Sequence, residues 1–193
     1  MIYPVLITSI TSSFQEFIDC WSEQYYYPKN ENYYNNNITK KILCRNDIME
    51  LYIWKNGMNL SAKKLEILEK KILLKLDIIN DLKSQYLPIL DSFLEEFQEV
   101  SFVWKIFLLH IINPNTYPIY DQHIHRAFNY LQSENNYNQH VTQNEFYFNH
   151  YLPFIRLKKI DNLKKLDEAF FAFGQFINTK KYNSLLKNRL PFS

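Results

Sequence analysis

The sequence predicts an all-α fold, and three observations carry that prediction. Apolar residues recur at helical spacing in several stretches, and sustained period-two alternation is rare. Only two glycines occur in 193 residues. β-Sandwiches and propellers turn on positive-φ residues and normally use more. The composition allows a packed core. Almost half of the residues are apolar and 22% are charged, enough buried surface to offset the ordering entropy. The length suits a single compact helical unit of residues 1–193.

In chain order, residues 1–10 read as an extended apolar arm. Phe14, Phe17, Ile18 and Trp21 then predict an amphipathic helix over about residues 12–26, capped by Ser12 or Ser13. Tyr25 to Lys41 is rich in Asn and Tyr, contains Pro28, and reads as a long loop. Asp47 is placed to cap a helix through Ile48, Leu51 and Ile53 that stops at Asn56-Gly57. Ser61 opens the next, with Leu65, Leu68, Ile72 and Leu76 on one face and lysines and glutamates on the other. Asp77 to Gln85 continues or restarts it, and Pro88 breaks the chain.

Asp91 or Ser92 starts another helical stretch. Phe102 to Ile112 is almost continuously apolar, too short to cross a membrane, and fits a buried helix ended by Asn113-Pro114-Asn115. Residues 122–132 form a helix whose stripe is Ile124, Ala127, Phe128 and Leu131. A polar loop covers about residues 133–143. Asp161 then caps a helix that buries Leu163, Leu166, Phe170, Phe173 and Ile177. No internal repeat is present.

Composition also narrows the function. Cys20 and Cys44 are the only cysteines, too few for a four-thiolate zinc or iron–sulfur site. They allow one disulfide but do not indicate a secreted scaffold. Met1-Ile2-Tyr3-Pro4 lacks the basic flank and apolar run of a signal peptide, so the cytoplasm is expected, with no membrane partner. The net charge of +2 hides an asymmetry. Residues 152–193 hold nine Lys and Arg against three Asp and Glu, a balance of +6. That fits one positive face, or a plain solvated helix surface. Fifteen Tyr and fifteen Phe supply core, and some can stack on bases. No phosphate-cradling glycine loop, HExxH or nucleophile elbow is present.

The segment that carries chemistry is Asn113 to Phe128. Pro118 prevents the preceding helix from continuing, and Asp121 falls where an N-cap belongs. Its carboxylate then meets the N–H groups of His123 and Ile124, and the helix dipole favours its ionised form. One reading is a plain cap, contributing about 1 kcal/mol. The other is a fixed negative charge beside a cleft, able to orient water or stabilise a cationic transition state.

Pro118-Ile119-Tyr120-Asp121-Gln122-His123-Ile124-His125-Arg126 resembles the catalytic-aspartate segment of helix-hairpin-helix DNA glycosylases. There a loop ends in an aspartate, followed by a polar residue, an apolar one, a variable one and Arg. The resemblance implies two helical lobes flanking a cleft: a hairpin-bearing lobe over about residues 45–132, and a second from 1–44 plus 133–193. It implies that Asp121 is catalytic. Gln122 and His123 would line the cleft mouth, with Tyr117, Tyr120 and His125 as pocket contacts and Arg126 buttressing the site or touching a phosphate. For Tyr120 a core position is the alternative, and for His125 a solvent-facing one.

Upstream the resemblance thins. A helix of matching length puts Phe97-Gln98-Glu99-Val100-Ser101 at the hairpin, without the family's two glycines and with Glu99 repelling phosphate; Ser101 is the remaining candidate DNA contact there. The lysine nucleophile of bifunctional members falls on Val103, and Lys105 points roughly 200° away on a helix. A monofunctional hydrolase follows, with no cofactor and no iron–sulfur cluster. Asn56 or Met58 would fill the gap left by a flipped base. Trp54 would stack in the pocket or belong to the core. Lys158, Lys159, Lys164 and Lys165 would contact phosphates of double-stranded DNA, bound by a monomer. Base excision in DNA repair is one implied setting, and anti-phage defence against modified cytosine is another. Two rivals stand beside this: a glycosylase-like binding module in which Asp121 only caps, and an unrelated helical interaction protein.

Overall fold

A computed structural model describes residues 11–26, 30–85, 90–132 and 141–178. The expected arm over 1–10, Pro28, Pro88, residues 133–140 and the basic residues beyond 178 lie outside them. Among the described residues all regular structure is helical. Among the described residues no helix is long and apolar enough to cross a membrane.

Helix α1 (Phe14–Ser22) starts where the Ser13 side chain accepts the Glu16 N–H. Its apolar face packs on α11 (Leu163–Asn178), through Phe17–Phe173 and Trp21–Phe173 ring contacts at 5.2 and 5.0 Å. The expected long loop contains a helix, α2 (Glu31–Asn37). Tertiary contacts override its weak local preference. Tyr34 is buried with its hydroxyl bonded to His110, and the Asn37 amide donates to Glu50. Asn30 enters this helix with φ 64°, a left-handed conformation that Asn tolerates.

Helix α3 (Arg45–Asn56) begins at Cys44, three residues before Asp47. Asp47 still serves the helix start: its carboxylate accepts the Cys44 N–H at 2.8 Å and a Lys40 ammonium at 2.7 Å. Gly57, at φ 73°, ends the helix in the left-handed conformation that glycine favours. Helix α4 (Ala62–Lys71) follows Ser61 as expected, and a 3₁₀ turn (Leu73–Lys75) separates it from α5 (Leu76–Ser84). The Asn80 side chain clamps both backbone groups of Leu43 to α5.

Helices α6 (Leu90–Glu96) and α7 (Phe102–Ile112) are joined by a short turn. Phe97 and Val100 are buried there, so apolar anchorage shapes a turn that lacks glycine. Helix α7 is buried from Ile106 to Ile112 and carries His110 into the core. An extended loop leads to α8 (Gln122–Leu131).

Residues 143–158, for which periodicity offered no element, form a short α9 (Gln143–Glu145), a π-helical turn (Phe146–Tyr151) and α10 (Leu152–Lys158). The wider π turn puts Phe146, Tyr147 and Tyr151 into the core together. Helix α11 starts one residue later than expected, because Asn162, not Asp161, accepts the Lys165 N–H. It packs against both α1 and α8, and the buried side chains form one continuous core across the two expected lobes.

Candidate active site

Asp121 has the geometry expected of an N-cap. Its Oδ1 accepts the His123 and Ile124 N–H groups at 2.9 and 3.1 Å. Its Oδ2 meets the Lys55 ammonium, from α3, at 3.0 Å. Only 9% of the Lys55 side chain and 17% of the Asp121 side chain are exposed, so solvent screens the pair weakly. Burial by itself would raise the Asp121 carboxyl. The charge of Lys55, the Ile124 N–H and the Lys55 hydrogen bond outweigh it and hold the carboxyl below its ordinary range.

The loop before Asp121 is pinned at three successive residues. The Tyr117 carbonyl accepts from His110 Nδ1 at 2.7 Å, the Pro118 carbonyl from the Tyr147 hydroxyl at 2.8 Å, and the Ile119 N–H donates to Asp167 Oδ2 at 3.0 Å. A carbonyl only accepts, so His110 carries its proton on Nδ1, and Nε2 accepts the Tyr34 hydroxyl at 2.8 Å. Burial lowers the His110 pKa to about 3, so the ring stays neutral. The π turn and α11 thus hold the loop that aims Asp121.

A cavity opens between α3, α8 and α11. Asp121, Lys55, Ile119, Ile124, Asp167, Glu168 and Lys164 line it, with Tyr25, Trp54 and Phe171 as aromatic walls. The cavity has room for water. Lys164 occupies the aromatic side. Its ammonium lies 4.8, 5.0 and 5.4 Å from the Tyr25, Tyr34 and Trp54 ring centres. It pairs with Glu31 at 2.9 Å and Glu168 at 2.7 Å, and Glu31 also accepts the Trp54 indole N–H at 2.8 Å.

The residues named from sequence distribute as follows. Asp121 and Trp54 line the cavity, and Trp54 is at once core and wall. Tyr117 and Tyr120 are buried outside that wall, and the Tyr120 hydroxyl bonds His125 at 2.9 Å. That bond takes His125 away from a purely solvent-facing role. Gln122 is exposed. His123 stands behind the wall with its ring 4.9 Å from that of Phe171. Arg126 buttresses: it donates to the Gly174 carbonyl at 2.9 Å and lies 3.3 Å from His123 Nδ1. Asn56 is tied to the Met58 carbonyl at 2.9 Å, while Met58 is 67% exposed. Ser101 begins α7 without a side-chain cap bond.

Of the basic residues, Lys164 faces inward, Lys165 pairs with Asp19, and Lys158 lies 5.3 Å from the Phe14 ring centre. Lys159 closes α10 at φ 50°. Lys55, Glu31, Glu168 and Asp167 were missed. For two of them a signal existed: Lys55 follows Ile48 and Tyr52 on one helical stripe, and Asp167 sits between Leu163 and Phe170 on another. A charge inside an apolar stripe marks a polar group drawn into the core. Among the described residues, no three His, Cys, Asp or Glu side chains are grouped to hold a metal ion. Both thiols are free and exposed.

No protein-family model, curated protein or solved structure matches this chain.

Proposed function

We propose that the protein is a monofunctional DNA glycosylase that extrudes a damaged or modified base and hydrolyses its N-glycosidic bond. One observation carries this reading: Asp121, ionised and held by the α8 N-terminus, lines a cavity with three aromatic walls. The order of a helix, a short turn, a buried helix, a loop and a capping aspartate supports it. As the base departs, positive charge grows on the deoxyribose, and a prepositioned carboxylate opposes it and orients water toward C1′.

Lys164 covers the aromatic faces of the cavity, so a base that stacks there takes the place of its ammonium. Stacking then replaces the cation–π contacts, and the freed ammonium can reach a phosphate. The substrate is double-stranded DNA, and modified phage DNA belongs among the bases tried.

The test incubates the protein with duplexes carrying different damaged and modified bases, including phage DNA with modified cytosines, and counts abasic sites by alkaline cleavage. Abasic sites with wild type and none with Asp121→Asn are expected. A second reading, a glycosylase-like binding module, is favoured by the Lys55 pair, which already neutralises Asp121. Tight binding without abasic sites on any duplex would establish it. No binding even at low salt, where phosphate contacts are strongest, would instead favour an interaction protein with no nucleic-acid partner.

A further inference from the structure

Helix α11 brings to the cavity a group that the hydrolysis above leaves unused. Asp167 is 4% exposed and lines the cavity wall that Asp121 shares. Its Oδ2 accepts the Ile119 N–H, but its Oδ1 is buried without a hydrogen-bond partner among the described residues. A clamp on Ile119 needs one oxygen. The second, unmatched in the core, is a cost that a ligand with a complementary atom would recover.

We propose that Asp167 is the general acid of this cavity, giving a proton to a ring nitrogen or carbonyl oxygen of the departing base. This rests on the glycosylase reading above. Burial keeps the Asp167 carboxyl protonated well above the ordinary carboxylate range, with a small addition from the negative charge of Asp121, while the Ile119 N–H, Lys164 and Lys55 oppose it too weakly to prevail. With Oδ2 accepting from Ile119, the proton resides on Oδ1. Two carboxyls in one cavity are thereby pushed in opposite directions, the division of labour that acid-assisted bond cleavage needs.

The step balances. The Asp167 O–H bond breaks and its proton joins the base. The C1′–N bond breaks, and its electron pair leaves with the base. Water adds its oxygen to C1′ beside Asp121, and the proton it sheds returns through solvent to Asp167. Asp167→Asn keeps an oxygen for Ile119 and a hydrogen-bond donor in place of Oδ1–H, but has no proton to transfer.

The experiment measures single-turnover base release from whichever duplex yields abasic sites with wild type. It also measures affinity for the same duplex made uncleavable by 2′-fluorination of the target nucleotide. Asp167→Asn should lose about 100-fold in rate with affinity changed less than about twofold. An electron-withdrawing substituent on the base, which needs protonation less, should narrow the gap. If Asp167→Asn melts markedly early, Asp167→Glu and Asp167→Gln replace it, and a faster Glu variant supports the proposal while equal rates overturn it. Wild-type rates in Asp167→Asn overturn this proposal alone. No abasic sites with wild type on any duplex overturn the hydrolase reading and this proposal with it.

Discussion

Gly174 of α11 lies against the backbone of His123 in α8: a Cβ on Gly174 would fall 2.6 Å from His123 C and 2.9 Å from its Cα, and nearer still to its oxygen. Backbone cannot swing aside as a flexible side chain can. Gly174→Ala is therefore expected to push α8 and α11 apart and to destabilise the fold by about 1–3 kcal/mol. Denaturant midpoints check the cost. Because those helices carry Asp121 and Asp167, base release should fall with it.

Lys55→Met leaves the Asp121 carboxylate unpaired in a mostly buried place. A loss of about 3 kcal/mol is expected, and one of similar size for Asp121→Asn, which strands the Lys55 ammonium in turn. The acid limb should move too. The depressed Asp121 carboxyl contributes stability that is fully present above the unfolded value of about 3.9 and is lost as pH falls through the folded one. Without Lys55 the folded value rises, so the gap from the unfolded value closes and less stability is lost as pH falls below about 3.9. Urea midpoints from pH 7 to pH 3 measure both effects.

His110 makes a separate contribution. Its pKa is lowered from 6.5 to about 3 by burial, so the unfolded chain binds the proton first on acidification. The stability it supplies is complete above about 6.5 and drains as pH falls toward about 3. By pH 4.5 the drain is about 3 kcal/mol. His110→Phe should be less stable at neutral pH, having stranded the Tyr34 hydroxyl and Tyr117 carbonyl, yet its stability should vary less over that window.

Lys164→Ala tests whether the ammonium in the cavity moves to DNA. If it does, the slope of log affinity against log salt should shallow by about 0.9 relative to wild type. An unchanged slope means that Lys164 stays among Tyr25, Tyr34 and Trp54 when DNA binds. Fluorescence anisotropy of a labelled duplex at several salt concentrations gives both slopes.

Much of the helical framework is legible in the sequence because periodicity and caps are local. Ser13, Ser61, Gly57 and Asp121 terminate helices where their chemistry says they should. Helix α2 was hidden because its stability resides in partners 13 and 76 residues away, Glu50 and His110. The π turn was hidden because its inward residues follow neither a 3.6 nor a 2 period. The site divides in the same way. Asp121 announces itself by position within a short motif, whereas Lys55 and Asp167 matter through contacts that span 66 and 48 residues.

The place of α11 late in the chain bears on biogenesis. Asp167, Lys164, Glu168 and Phe171 all reside on α11, and Lys164 reaches back 133 residues to Glu31. During synthesis, Lys55 and Asp121 leave the ribosome first, facing a partner surface that does not yet exist. The cavity is complete only when α11 has emerged and docked, so a nascent chain stalled before it is expected to display the aspartate without the chamber around it.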